Sequence, residues 1–292
     1  MTVTSKINSA VLSSLSAFVV EQGDYEVGKA VVYIENKDGF TLDFSLSHVA
    51  CEGCFLEIKN SKNVVIENLK LESENKNDFA IKISSSSVIL KNCEITANTA
   101  CLSISASEVK IENCDFLSQK EGNGICIYQE GMVNVKTSNF TLPKGEAITV
   151  VDNGYGMVNV SECAFKKCLA GIRSSGRNQI RITNNYFMTA LCAVGVYPSL
   201  MKTVKDGADK IFIAYNLFDE IQSTGKTVVE IEGEKEGVYT HNEIILQENV
   251  FLPKTKCAII ANGVKNLIFK DNDVRGNMQS TVENSIINGI KA

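Results

Sequence analysis

Tryptophan is absent from the 292 residues, and proline occurs only three times. The first absence removes the largest aromatic platform on which a ligand can stack; the second excludes a proline-rich extended linker. An excess of positive charge is missing too: 29 Lys and Arg face 34 Asp and Glu, a net charge of -5. That balance argues against a phosphate-backbone partner, because nucleic-acid binding rests on concentrated Lys and Arg. Long apolar runs are also lacking. The longest near the start, Ala10 to Val20, is interrupted by serines, has no basic leader and shows no clear small-residue cleavage site. Neither a signal peptide nor a membrane span fits it. The chain as written is expected to be cytoplasmic, or secreted if a leader has been removed, with no nucleic-acid or membrane partner.

What is present is the material for a large core. Hydrophobic residues make up 44% and charged residues 22%, with mean hydropathy +0.01, the profile of a soluble folded chain. Ten cysteines are spread over a chain long enough to bury its own core, so free thiols are expected rather than a disulfide framework. His48, Cys51 and Cys54 have the spacing of three zinc ligands, but no fourth Cys or His lies near them, and a structural role is favoured over a metal site.

Self-similarity organises the sequence. An eight-residue unit, apolar-x-apolar-x-x-(Cys or Asn)-x-(Phe or aliphatic), begins at positions 40, 64, 88, 109, 133, 158, 180, 211, 244 and 267. Clear copies are VKIENCDF from Val109, IRITNNYF from Ile180 and IILQENVF from Ile244. Apolar residues at the first and third places alternate with variable ones, the period of a strand with one buried face. The sixth place reads Cys93, Cys114, Ser138, Cys163, Asn185, Asn216, Asn249 and Asn272; the eighth gives Phe116, Phe140, Phe165, Phe187, Phe218 and Phe251.

Identical residue types recur at one position when successive coils stack at about 4.8 Å, because each side chain then lies above its equivalent. Asn suits such a stack: its amide donates and accepts at once, and it tolerates the left-handed backbone of a sharp bend. The phenylalanines are expected to stack inside with offset rings, and the cysteines of the sixth place to serve as small apolar filling. Asp271 and Asp273 flank Asn272 like a calcium motif, but Asn272 belongs to the column, which favours a turn. Each unit is followed by a second alternating strand, such as AIKIS from Ala80, GICIYQ from Gly124, AITVVD from Ala147 and TVVEIEG from Thr227. The reading is all-β: a single-stranded right-handed parallel β-helix, a solenoid of about ten coils too short to fold singly.

Such a solenoid needs its open end covered. Ile7, Val11, Leu15 and Phe18 recur at helical spacing, so an N-terminal amphipathic capping helix is expected within residues 1–23, with the β-helix over 24–292.

With these columns in place, the sequence resembles the pectate-lyase and polygalacturonase (pectin lyase-like) superfamily of right-handed parallel β-helices. The resemblance rests on the asparagine column, the aromatic column two residues on, and the opening segment EQGDYEVGKAVVYIENKDGFTLDF from Glu21. It spans nearly the whole chain. It implies a partner that is a poly- or oligosaccharide, read in a groove on the outward face of the second strands. Positions on that face include Glu57, Lys82, Ser103, Cys126, Tyr128, Thr149, Arg173, Tyr197, Glu230, Glu232 and Asn262. Two long connections, Pro198 to Lys210 and Gly233 to His241, follow this strand and are expected to wall the groove.

The implied chemistry stays open. A polysaccharide lyase needs a base and cations, for which Arg173, Lys202 and Lys205 with calcium as a candidate cofactor would serve. A glycoside hydrolase needs two opposed carboxylates, for which Glu230 and Glu232 are the candidates; residues two apart on a strand would flank a sugar from one side only. The catalytic candidates are therefore Arg173, Glu230 and Glu232, and the substrate-binding candidates Tyr128, Thr149, Tyr197, Lys202, Lys205 and His241. The sequence departs from the enzymes of the superfamily: it has no Gly-His-Gly, no paired Asp-Asp in a groove strand, no Arg-Ile-Lys and no aspartate-rich groove. A non-catalytic binding or structural module, tailspike- or adhesin-like or protein-binding, is the alternative, and both monomer and trimer remain open.

Overall fold

The computed structural model describes residues 2–118, 120–199, 207–221, 227–233, 239–252, 257–275, 279–283 and 285–288. The chain winds as a parallel β-solenoid of about ten turns with one short N-terminal helix. Among the described residues all strand pairings are parallel, between one coil and the next, and form a 12-stranded and a 20-stranded sheet. The ten unit starts read from the sequence are partners in one unbroken register: Phe40 pairs with Val64, Val64 with Val88, and so on through Ile211, Ile244 and Leu267. A slip of one residue would turn every buried side chain outward, so the alternation itself holds the register. Each coil adds a short strand after the unit, as at Glu94–Ala97, and then a longer one, as at Ala100–Ser105.

Two turns per coil are held by side-chain ladders. In the first, a backbone N–H donates to the side-chain oxygen of the equivalent residue one coil later: Cys114 to Ser138 (3.1 Å), Cys163 to Asn185 (2.9 Å), Asn185 to Asn216 (2.9 Å), Asn216 to Asn249 (3.0 Å) and Asn249 to Asn272 (3.0 Å). The cysteines do more than fill space. Cys93, Cys114 and Cys163 donate from Sγ to the carbonyl two residues earlier at 3.2–3.4 Å, as Ser138 does from Oγ (2.9 Å) and Asn216 from Nδ2 (2.9 Å). A short donor is the requirement at this place, and thiol, hydroxyl and amide all meet it. Nor is the ladder residue the left-handed one. Positive φ falls one place earlier, at Asn92, Asn113, Thr137, Glu162, Asn184, Tyr215, Glu248 and Asp271. Cys51, Cys54, Cys93, Cys101, Cys114, Cys126, Cys163, Cys168 and Cys192 are free thiols.

The second ladder occupies the turn before the unit strand and was not read from the sequence. Its steps include Ser61 to Ser86 and Ser86 to Ser107 (both 3.1 Å), Asn153 to Asn178 (2.7 Å) and Ala208 to His241 (3.0 Å). Inside, the phenylalanine column from Phe116 to Phe251 stacks with ring centroids 4.5–5.1 Å apart. All six rings are at most 2% exposed. Each offset pair adds about 0.5–1.5 kcal/mol to the burial of its area.

The cap differs from the expected one. The helix runs Val3–Leu12, with Thr2 as N-cap, and buries Ile7 and Val11. It stops at Ser13, whose N–H and hydroxyl both turn back to the carbonyl of Ala10. Leu15 is exposed, and Phe18 lies in a strand, Ala17–Val19, that pairs with Thr41–Asp43 and adds a rung to the 12-stranded sheet. The serines between Val11 and Phe18 favour a cap over another helical turn, and Phe18, Val19 and Val20 favour extended backbone.

Asn216→Ala strips the partner from the Asn185 N–H and from the Ile182 carbonyl. Urea denaturation is expected to show a loss of about 1–3 kcal/mol. Asn216→Ser keeps an acceptor and a short donor, as Ser138 does, and should lose clearly less; equal losses would refute the ladder's role.

Candidate functional site

The longer strands, Phe79–Ser84, Ala100–Ser105, Asn123–Tyr128, Glu146–Val151, Leu169–Ser175 within Ala164–Ser175, Ala193–Tyr197 within Tyr186–Tyr197, and Thr227–Ile231, turn alternate residues out of the solenoid. Pairing stacks these residues into columns. One column reads Lys82, Ser103, Cys126, Thr149, Arg173, Gly195 and Glu230. Another reads Ser84, Ser105, Tyr128, Val151, Ser175 and Tyr197. Tyr128 and Tyr197 thus stand three coils apart, about 14 Å, with the smaller Val151 and Ser175 between them.

Five side chains join into one network on this face. Thr149 Oγ1 donates to Glu146 Oε2 (2.8 Å), and Arg173 Nη1 donates to Glu146 Oε1 (2.7 Å). The Arg173 guanidinium lies 4.8 Å from the Tyr197 ring centroid, and Tyr197 donates from its hydroxyl to Glu230 Oε2 (3.1 Å). Gly195 explains how the ring fits. A Cβ there would come within 2.6–3.0 Å of the Tyr197 ring and hydroxyl, so the missing side chain is the space the tyrosine occupies.

The surroundings tune these groups in stated directions. The hydrogen bond to Glu146 raises the pKa of Arg173. Burial, then the nearby Cys192 and Glu230, raises that of Tyr197, keeping its phenol a donor. Burial pushes Tyr128 up to about 12 and the outward thiols Cys126 and Cys192 up to about 11 and about 12. These thiols are packing groups, not nucleophiles.

Of the residues expected at the site, Tyr128, Thr149, Arg173, Tyr197 and Glu230 share this face. Glu232 follows the strand Thr227–Ile231 and is exposed. Lys202 and Lys205 lie outside the described residues. His241 belongs elsewhere: it is 1% exposed. Its Nδ1 accepts from the Ala208 N–H (3.0 Å), and its Nε2 lies 2.8 Å from the Glu232 carbonyl. It is a rung of the second ladder, buried away from the outward face. Glu146 was missed. It begins its strand ahead of two consecutive buried residues, Ala147 and Ile148, which break the alternation, yet it pairs with Ala170 in the next coil. His48, Cys51 and Cys54 do not converge, and among the described residues no group of three His, Cys, Asp or Glu is placed to hold a metal ion.

A family model described as a right handed beta helix region matches residues 25–157. Comparison with curated proteins gives no match. Among solved structures, the chain is similar to the surface protein and adhesin PfbA of Streptococcus pneumoniae, with TM-score 0.68 and 14% identity over 97% of this chain and 92% of that one. It is also similar to a hyperthermoactive exopolygalacturonase from Thermotoga maritima, with TM-score 0.56 and 10% identity over 93% and 82%. A third similarity is to the catalytic domain of a GH87 alpha-1,3-glucanase in complex with nigerose, with TM-score 0.70 and 12% identity over 99% and 66%.

The placement of His241 has a consequence for acid stability. Burial lowers its pKa, and a proton on Nδ1 would face the Ala208 N–H. The contribution of neutral His241 is therefore complete above the ordinary histidine value near 6.5 and lost as pH falls through the depressed folded value. Urea denaturation across a pH series should show His241→Asn, a ladder-compatible change, flattening the acid limb; an unchanged limb would refute this assignment.

Proposed function

For this chain, which has the right-handed parallel β-helix fold of the pectate-lyase and polygalacturonase superfamily, we propose recognition of an extended glycan on the outward face of its longer strands. The observation that carries the reading is the Thr149–Glu146–Arg173–Tyr197–Glu230 network beside the trough between Tyr128 and Tyr197. Phenol rings offer apolar surface to sugar C–H groups, while fixed carboxylates, a guanidinium and hydroxyls accept from and donate to sugar hydroxyls. Because these groups already hold one another, little side-chain entropy is lost when a ligand arrives.

Binding is favoured over cleavage by the state of the charged groups. The Arg173 guanidinium that a lyase would use to stabilise a developing negative charge is paired with Glu146 at 2.7 Å. Glycoside hydrolysis is the second reading, and one observation favours it: the network holds two carboxylates, Glu146 and Glu230, on either side of Arg173 and Tyr197. Their strands are three coils apart, about 14 Å along the stack. The side chains must lean towards each other to reach the separation of about 5–9.5 Å that hydrolysis requires.

The test is a screen of neutral and acidic polysaccharides, with and without calcium, following thermal shift, reducing ends and the absorbance of unsaturated products together. A thermal shift without product is expected. Arg173→Ala or Tyr197→Ala should weaken the binding at least tenfold, about 1.4 kcal/mol. Reducing ends released by the wild type and lost in Glu146→Gln or Glu230→Gln would replace the binding reading with hydrolysis. No shift with any glycan would defeat both.

A further inference from the structure

The 12-stranded sheet has an outward face of its own, away from the longer strands. Each unit strand turns three side chains out there: the residue before the unit, and those at its second and fourth places. Coil pairing stacks them in three columns. The middle column starts apolar with Val65 and Ile89. It turns polar at Asn134 and Asn159, which are hydrogen-bonded at 2.8 Å, and ends apolar with Phe212, Ile245 and Ile268. Beside its centre, Met132 and Met157 are 54% and 44% exposed. Two hollows open on this face, one of about 310 Å³ beside Phe212 and Ile245 and one of about 260 Å³ beside Val65 and Ile89. Apolar surface rimmed by charge in this way is characteristic of an interface.

The charges along the face identify its occupant. Row by row, the three outward residues are net acidic at Glu67, basic at Lys91 and acidic at Glu108, Lys110 and Glu112. Towards the other end they are basic at Lys210, acidic at Glu243 and basic at Lys270. A second copy turned over about an axis through the Met157, Asn159 and Ser161 row meets this order in reverse. The Glu67 row then lies on the Lys270 row, the Lys91 row on the Glu243 row, and the Glu108 row on the Lys210 row. Acid faces base in all three. Glu67 with Lys270, and Glu108 with Lys210, also share a column, so carboxylate and ammonium are directly opposed. The same turn lays Ile89 on Ile245 and Val65 on Ile268. Lys136 and Arg181 fall in facing rows but in different columns; Lys136 is held by Glu162 at 3.3 Å, and Arg181 lies 4.7 Å from the Phe212 ring centroid. Moving the axis half a coil one way sets the Glu67 row on the Glu243 row, and the other way sets Lys91 on Lys270. Like charge opposes both shifts, so one register is selected.

We propose that the outward face of the 12-stranded sheet binds a second copy of this chain, sheet on sheet, with the two solenoids running in opposite directions about an axis at Asn159. The contact runs from the Glu67 row to the Lys270 row, about 38 Å along the stack and about 13 Å across the three columns. With the side chains' own width it covers roughly 700 Å² per copy, close to the roughly 800 Å² of a standard stable interface. Every residue in it is used twice, as a two-fold contact requires. The contact leaves the longer-strand face of both copies open and stands independently of the glycan reading.

The experiment is sedimentation velocity of the full chain over a range of concentrations, for the wild type and for variants first checked for wild-type thermal unfolding. A dimer is expected for the wild type. Glu67→Lys and Lys270→Glu should each weaken it at least tenfold, and the chain carrying both should recover it, because the reversed pair meets again across the axis. Orientation is read with a short thiol-to-thiol crosslinker, the wild type serving as control for the native cysteines. Asn159→Cys, on the axis, should join to its own copy, whereas Ile89→Cys, which faces Ile245, should not. A wild type that stays monomeric at every concentration would overturn the inference. So would a double reversal no better than either single one, or Ile89→Cys joining to itself as readily as Asn159→Cys, the mark of copies running in the same direction.

Discussion

Everything in this molecule depends on each coil sitting in register over the last. Backbone pairing supplies cohesion between coils, but pairing alone tolerates slips. Alternation of buried Val, Ile and Leu penalises a one-residue slip, and the ladders penalise any other, because each turn N–H needs the side chain of one particular residue in the next coil. The phenylalanine stack reinforces the same register from inside. With register secured, residues far apart in sequence become neighbours on the surface: Glu146 and Arg173, or Tyr197 and Glu230, meet because their coils are adjacent.

The candidate site uses that regularity and then departs from it in two places. Gly195 stands in a column of outward side chains, and its vacancy lets Tyr197 lie between the guanidinium of Arg173 and the carboxylate of Glu230. Glu146 enters from the column beside it. A repeat scaffold thus carries a local, non-repeating constellation without disturbing the strands beneath, whose inward residues Ile148, Ile172 and Val194 stay fully buried.

The fold was legible because it is written ten times. The unit starts from Phe40 to Leu267 became direct partners, and the Asn and Phe columns became stacks. Less visible was what repeats weakly. The Ser61, Ser86, Asn153, Asn178 and His241 ladder mixes side-chain types that share an acceptor rather than a name. His241 resembled a loop residue for that reason, since nothing local marks it as a rung. The capping helix was overextended because Leu15 and Phe18 fit a helical period, whereas serine caps and β-forming residues decide the backbone there. At the site, Tyr128, Thr149, Arg173, Tyr197 and Glu230 followed from alternation alone. Glu146 did not, because the two consecutive buried residues that follow it, Ala147 and Ile148, break the period.

The direction of the pairing also determines how the molecule bears load. Its inter-coil hydrogen bonds run along the long axis, and the first and last described strands lie at opposite ends of the stack. Tension between the ends therefore pulls on one seam at a time, peeling a coil with its few bonds before the next is strained. Compression or bending is shared by the whole column of stacked rings and rungs. The solenoid is a strut along its axis and a zipper when drawn apart, and the helix Val3–Leu12 with its strand Ala17–Val19 is the stop at one end of that zipper.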